Sequence, residues 1–210
     1  MKTALIFLHG DLTCISHIPP QVKSADLIIG ADGGAEYAIQ AGLTPHIVIG
    51  DLDSISPRTK HFLEHKTQWQ VYPREKDYTD AELAIQYALK EKADHIYIAG
   101  FLGRRIDHML SSLHYLSTLT TNISLFEGTQ ILTFIKKKAV ITGKKDEEIS
   151  LIPLQEDCLG VTTQGLAYPL HKETLPYGAT RGVSNVMIAE QATVELTSGT
   201  LLCIHNLRVS

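Results

Sequence analysis

Apolar residues fall in short runs along the first part of the chain: Ala4–Leu8, Leu27–Gly30, His46–Ile49, Trp69–Tyr72, His95–Ala99 and Ile123–Phe126. Between them stand segments whose apolar side chains recur at helical spacing, the period of a helix with one buried face. Such runs alternating with helices predict parallel strands and hence a doubly wound, mainly parallel α/β sheet. The punctuation agrees. Gly42 stands where a helix over Ala35–Ala41 would end, and Ser56-Pro57 supplies an N-cap followed by proline at the first helical position. After Gly128 the texture changes to short runs and frequent turns, at Ala139–Thr142, Ile149–Pro153, Gly160–Thr163, Ala192–Leu196 and Leu201–Ile204. The expectation is an α/β domain over residues 1–127 followed by a smaller all-β sandwich over 128–210.

Composition sharpens this picture by exclusion. With 210 residues, 44% of them hydrophobic and 20% charged, the chain can bury one large or two small cores and is not disordered. A formal net charge of −4 gives no bulk attraction to nucleic acid or to an anionic membrane, so small anions held at a local site fit better than polymers. Lys136-Lys137-Lys138, with Lys144-Lys145, reads as a solvated hairpin face. No stretch approaches the ~18 apolar residues of a membrane span. The apolar run inside Met1–Gly10 ends too early for a signal segment and reads as the first strand. Cys14, Cys158 and Cys203 are too far apart for a zinc knuckle or a Cys-x-x-Cys pair, and a reducing, cytoplasmic setting is the expectation.

The chemistry-bearing residues cluster where strands end. Gly50-Asp51-Leu52-Asp53-Ser54 follows His46–Ile49. In extended backbone residues i and i+2 project to the same side, so Asp51 and Asp53 are expected to reach one cation beyond the strand. Mg²⁺ suits such a place because it takes one or two carboxylates, several waters and phosphate oxygens. Asp32-Gly33-Gly34 opens a helix, where glycines let backbone N–H groups approach an anion; the alternative is a plain turn with Asp32 as its cap. In Lys76-Asp77-Tyr78-Thr79-Asp80-Ala81-Glu82, Thr79 and Glu82 form a capping box and Asp80 favours a helix start. Lys76 and Asp77 have no such structural reason, and a lysine beside carboxylates suits a metal-nucleotide site. Gly100-Phe101-Leu102-Gly103-Arg104-Arg105-Ile106-Asp107-His108 adds an arginine that can fork onto phosphate, with Asp107 also readable as an N-cap. His61 and His65 have a zinc-compatible spacing but no third ligand, and read as a surface pair.

Together with Gly182-Val183-Ser184-Asn185, these blocks resemble the thiamine pyrophosphokinases, in family order across nearly the whole chain. The resemblance implies transfer of a pyrophosphoryl group from ATP to thiamine, with release of AMP, on a two-domain plan. It implies Mg²⁺ ligated by Asp51 and Asp53, with Asp80 as third carboxylate and Asp77 as its competitor. Asp32, Gly33, Gly34, Ser54, Lys76, Asp77 and Thr79 are placed about the ATP phosphates and metal. Arg105 would offset developing charge, and Asp107 or a metal-bound carboxylate would take the hydroxyl proton. Ser184 and Asn185 are similar to the thiamine-contacting motif, in a site completed across a homodimer. One departure stands at Arg104, where the family pattern has a second glycine. Rival expectations are a hydroxymethylpterin acceptor or a nucleotide-binding module without turnover. A phosphatase using Asp51 and Asp53 is disfavoured because its aspartates belong after the first strand.

Overall fold

The first apolar run becomes β1 (Thr3–Phe7), in which Ala4, Leu5, Ile6 and Phe7 are all fully buried, as a strand covered on both faces requires. It is central to a sheet with β2 (Leu27–Ala31), β3 (Ile47–Gly50), β4 (Gln68–Val71), β5 (His95–Ala99) and β6 (Asn122–Glu127). Their order is β4-β3-β2-β1-β5-β6, with every pairing parallel. The helices are α1 (Pro20–Lys23), α2 (Gly34–Gln40), α3 (Pro57–Leu63), α4 (Asp80–Lys90) and α5 (Ile106–Thr118). The computed structural model describes residues 1–10, 18–103 and 105–208; Cys14 and Arg104 lie outside them.

This sheet belongs to the first of two compact units, Met1–Gly128, the second being Thr129–Ser210. In the first, the chain runs outward from β1 to β4, then returns to place β5 on the other side of β1. Connections therefore diverge between β1 and β5, the switch point beyond which open α/β sheets bind ligands. Helices α2 and α4 pack on the strands. Helix α4 buries Leu83, Ala84, Ile85 and Ala88, while Ala35, Val48, Ile55 and Leu63 form a core with Trp69 against it. Ser56 caps α3 by accepting from the Thr59 N–H at 3.3 Å, and Gly42, at φ 78°, follows the end of α2 in the left-handed conformation that favours glycine.

Two helix starts differ from expectation. Thr79 Oγ1 accepts from the Glu82 N–H at 3.1 Å, but the Glu82 carboxylate turns along the helix to accept from Gln86 at 3.2 Å, which leaves only half of the capping box. Helix α5 begins at Ile106, so Asp107 lies in its first turn instead of capping it.

The second unit is antiparallel: β7 (Gln130–Ile135), β8 (Lys138–Thr142), β9 (Glu148–Gln164), β10 (Glu173–Leu175), β11 (Asn185–Val186), β12 (Gln191–Glu195) and β13 (Ser198–Asn206). The order is β7-β13-β9-β12-β8, with β10 and β11 on β9. Two expected strands, Ile149–Pro153 and Gly160–Thr163, are one element. The exposed Gln155-Glu156-Asp157 interrupts its apolar pattern, and the backbone turns at Gln155 (φ 73°) and Gly160 (φ 63°) without ending the strand. The first half of β9 pairs with β13 and the second with β12. Both halves feed one core that contains Ile149, Leu151, Cys158, Val161, Val194 and Leu201. Lys138 pairs with Glu195 at 2.6 Å on an exposed face, the solvated role expected of it.

Candidate active site

The C-terminal ends of the first unit's strands enclose a cavity of about 790 Å³, within the range of small-molecule sites. His9 and Gly10 line it after β1, Asp32 after β2, Lys76, Tyr78, Thr79, Asp80 and Ala81 after β4, and Gly100, Phe101, Gly103 and Arg105 after β5, with Tyr37, Arg74 and His108 completing the wall. The switch point between β1 and β5 thus opens into it.

Three carboxylates meet at this end of the sheet. Asp32, Asp51 and Asp80 each offer an oxygen, and these oxygens lie within 4.8 Å of one another. The backbone arranges them by local reversals. Asp32, at φ 46°, donates its N–H to the Ile49 carbonyl at 2.8 Å, tying the residue after β2 to β3. Asp80 enters from the first turn of α4. Lys76, only 12% exposed, is their counter-ion: its ammonium is 3.2 Å from Asp80 Oδ1 and 4.0 Å from Asp51 Oδ2, and it also donates to the Pro73 carbonyl at 3.3 Å.

The cluster is under-satisfied. Asp32 Oδ1 is buried without a hydrogen-bond partner among the described residues, and the buried Asp80 Oδ1 has only its ion pair with Lys76. Burial raises the Asp80 carboxyl above its ordinary range; Lys76 pulls it down, and the charges of Asp32 and Asp51 push it up again. An unpaired buried acceptor among mutually repelling carboxylates is what a divalent cation relieves, so the donor set fits Mg²⁺.

Asp53 stands apart, which corrects the expectation of an extended Asp51-Leu52-Asp53 pair. Leu52 is at φ 64°, left-handed, so the chain turns: the Asp53 N–H donates to Asp51 Oδ1 at 3.3 Å and the exposed Asp53 carboxylate accepts from Ser54 Oγ at 2.9 Å. Neither Asp53 nor Ser54 lines the cavity. Asp77 is exposed and outside the acidic cluster, whereas Asp80 is inside it. Asp32, expected beside phosphate or as a cap, joins the carboxylates, and its side chain does not cap α2. Gly33 lies under the His9 ring and Gly34 against the Phe7 carbonyl; a Cβ at either position would clash. Thr79 lines the cavity while capping α4.

Arg105 also lines the cavity, but its guanidinium forks onto Asp107, with Nε at 2.9 Å and Nη2 at 2.6 Å. Hydrogen bonding to Arg105 holds the Asp107 carboxyl far below the usual carboxylate range. That makes Asp107 a weak proton acceptor and a good anchor for Arg105. His61 sits 3.5 Å from Glu64, and neither it nor His65 joins a ligand cluster among the described residues.

Ser184 and Asn185 lie in the second unit. Ser184, exposed at φ 59°, donates its N–H to Ser150 Oγ at 3.1 Å. The Asn185 amide bonds to the Tyr168 backbone: Oδ1 accepts from the Tyr168 N–H at 3.0 Å and Nδ2 donates to the Tyr168 carbonyl at 2.7 Å. In this arrangement the Asn185 side chain fixes the turn against Tyr168.

Some lining residues escaped the sequence. His9 and Gly10 directly follow β1, so the strand-end logic used elsewhere would have reached them. Tyr37, whose hydroxyl donates to the Gly10 carbonyl at 2.7 Å, carried no local signal. Nor did Glu127, buried at the end of β6, where its carboxylate accepts the N–H groups of Phe101 and Leu102 and so holds the glycine-rich loop after β5.

Comparison with known proteins adds to this geometry. Residues 19–126 match the family model described as thiamin pyrophosphokinase, catalytic domain, and residues 135–201 match thiamin pyrophosphokinase, vitamin B1 binding domain. The chain is 33% identical over 214 residues to the thiamine pyrophosphokinase of Bacillus subtilis, covering 98% of this chain and 99% of the relative. A crystal structure of thiamine pyrophosphokinase from that organism superimposes with a TM-score of 0.85 at 29% identity, covering 99% of this chain and all (100%) of that one. A thiamin pyrophosphokinase family protein from Enterococcus faecalis gives 0.83 at 25% identity, with 100% of both chains covered.

Proposed function

The chain belongs to the thiamine pyrophosphokinase family, and on that premise we propose that it transfers the pyrophosphoryl group of ATP to the hydroxyl of thiamine, giving thiamine diphosphate and AMP. The observation that carries this reading is the cluster of Asp32, Asp51 and Asp80, in which Asp32 Oδ1 is buried without a partner among the described residues, beside Lys76, with Asp32, Asp80 and Lys76 lining a nucleotide-sized cavity. Those three carboxylates would hold Mg²⁺, which would supply positive charge to offset that of the phosphates in transfer.

The chain's own residues do the rest. Lys76 presents an ammonium to the phosphates, and the Thr79 hydroxyl, which accepts from the Glu82 N–H, keeps its proton for a phosphate oxygen. Gly33 and Gly34 leave room after Asp32 for the His9 ring and the Phe7 carbonyl, which a Cβ at either position would displace. Arg105 brings a second cation, with Asp107 setting its orientation. In the second unit Ser184 would offer its exposed hydroxyl to thiamine while Asn185 shapes the turn.

A homodimer in a cytoplasmic setting belongs to the same reading. Ile106 and Leu110, large, exposed and one turn apart on α5, support a face that is covered in the assembly. No helix among the described residues is long and apolar enough to cross a membrane. The family match lends no support to a pterin acceptor.

Incubation of the purified chain with ATP, Mg²⁺ and thiamine tests the proposal. AMP and thiamine diphosphate in equal amounts are expected. Formation of ADP, or unchanged ATP with folded protein, would overturn it.

A further inference from the structure

Among the described residues, three arginine and lysine side chains line the cavity: Arg74, Lys76 and Arg105. Two are already engaged by carboxylates. Lys76 is ion-paired with Asp80 and Asp51, and Arg105 forks onto Asp107. Arg74, in the loop between β4 and α4, is exposed and has no hydrogen bond or ion pair among the described residues. The bond from Lys76 Nζ to the Pro73 carbonyl ties the loop back immediately before Arg74, at the cavity wall.

A nucleoside triphosphate brings several negative charges into this space, and the acidic cluster it approaches is negative as well. Cations already paired with carboxylates offset that charge only in part, because their field is partly cancelled by their partners. A free guanidinium can fork onto two phosphate oxygens without first breaking an internal ion pair. On the reading that the cavity takes ATP, we infer that Arg74 grips the polyphosphate and sets the preference for triphosphate substrate over monophosphate product. The contact favours nucleotide entry and does not hinder release of AMP.

The test is direct binding of ATP and of AMP, each with Mg²⁺, to the full-length chain and to its Arg74→Gln and Arg74→Lys variants, followed by steady-state kinetics. Arg74→Gln should weaken ATP binding about tenfold, as expected for one charge-assisted contact, and shift AMP less than about twofold. The KM for ATP should rise by more than kcat falls. Arg74→Lys, a point charge without the fork, should lie between the two. Unchanged ATP affinity in Arg74→Gln overturns the inference, as does equal weakening of ATP and AMP. A wild-type chain that binds no ATP removes the reading of the cavity itself, and the inference falls with it.

Discussion

Two carboxylate sites in this molecule are built in opposite ways. In the first unit, Asp32, Asp51 and Asp80 crowd together, with Asp32 Oδ1 buried and unpaired among the described residues and Asp80 Oδ1 held only by its ion pair with Lys76. In the second, Glu147 is buried and fully engaged: Oε2 accepts from the Lys144 N–H at 2.8 Å and lies 2.7 Å from His205 Nε2, while Oε1 accepts from the Arg208 N–H at 3.0 Å. The titration directions follow. Burial pushes the Asp80 carboxyl up and its charged neighbours leave it there. Burial would also raise Glu147, but the Lys144 and Arg208 N–H groups and His205 outweigh it and bring the carboxyl below its ordinary range. A satisfied buried carboxylate serves the fold. An unsatisfied cluster costs the fold stability until a ligand completes it, and that difference marks the functional site more clearly than burial alone does.

The strongest way to break this contrast is by turnover. Loss of a metal-binding carboxylate removes several kcal/mol of transition-state stabilisation, so Asp51→Ala and Asp80→Ala should each lose about 10²-fold or more in kcat. Asp53→Ala, outside the cluster, should lose less. Equal losses at Asp51 and Asp53 in steady-state assays would return Asp53 to the site and refute the turned geometry at Leu52.

Next comes stability. Glu147→Ala leaves two backbone donors and His205 without their acceptor in a buried place, and should destabilise the second unit by about 2–4 kcal/mol in denaturant unfolding. A change below about 0.5 kcal/mol would mean that the network contributes little to the fold.

The smallest effect is the most diagnostic. A carboxyl whose pKa is raised by folding contributes stability while protonated and loses it as pH rises through its titration, so Asp80 weighs against the metal-free fold at neutral pH. Asp80→Asn should therefore raise the unfolding temperature of the metal-free protein at pH 7 by about 2–4 °C, and should diminish the upward shift that Mg²⁺ gives the wild type. Glu147 has the opposite sign: its contribution is present above the ordinary glutamate range and is lost as pH falls through its lower folded value. If melting of the metal-free wild type ignores Mg²⁺ and Asp80→Asn melts no higher, the cluster is not strained.

The strands of the first unit were legible because parallel strands covered on both faces are continuous apolar runs, and the site was legible as a set of strand ends. What periodicity did not carry was local reversal of the backbone. The pairing of Asp51 with Asp53 assumed extended chain, and the left-handed Leu52 removes that premise, while Asp32 reaches the cluster through its own positive φ. Side-chain destinations were hidden for a similar reason: nothing in the sequence shows that the Asn185 amide folds back onto Tyr168 or that Glu127 supports the loop after β5. In the second unit, the polar Gln155-Glu156-Asp157 made one long strand read as two.

That strand has a consequence for how the second unit comes apart. Because β9 is hydrogen-bonded along its length to β10, β11, β12 and β13, one continuous strand links all four of those neighbours. Its amides should therefore exchange with solvent deuterium through a single cooperative opening of the whole unit, with no edge that peels away first.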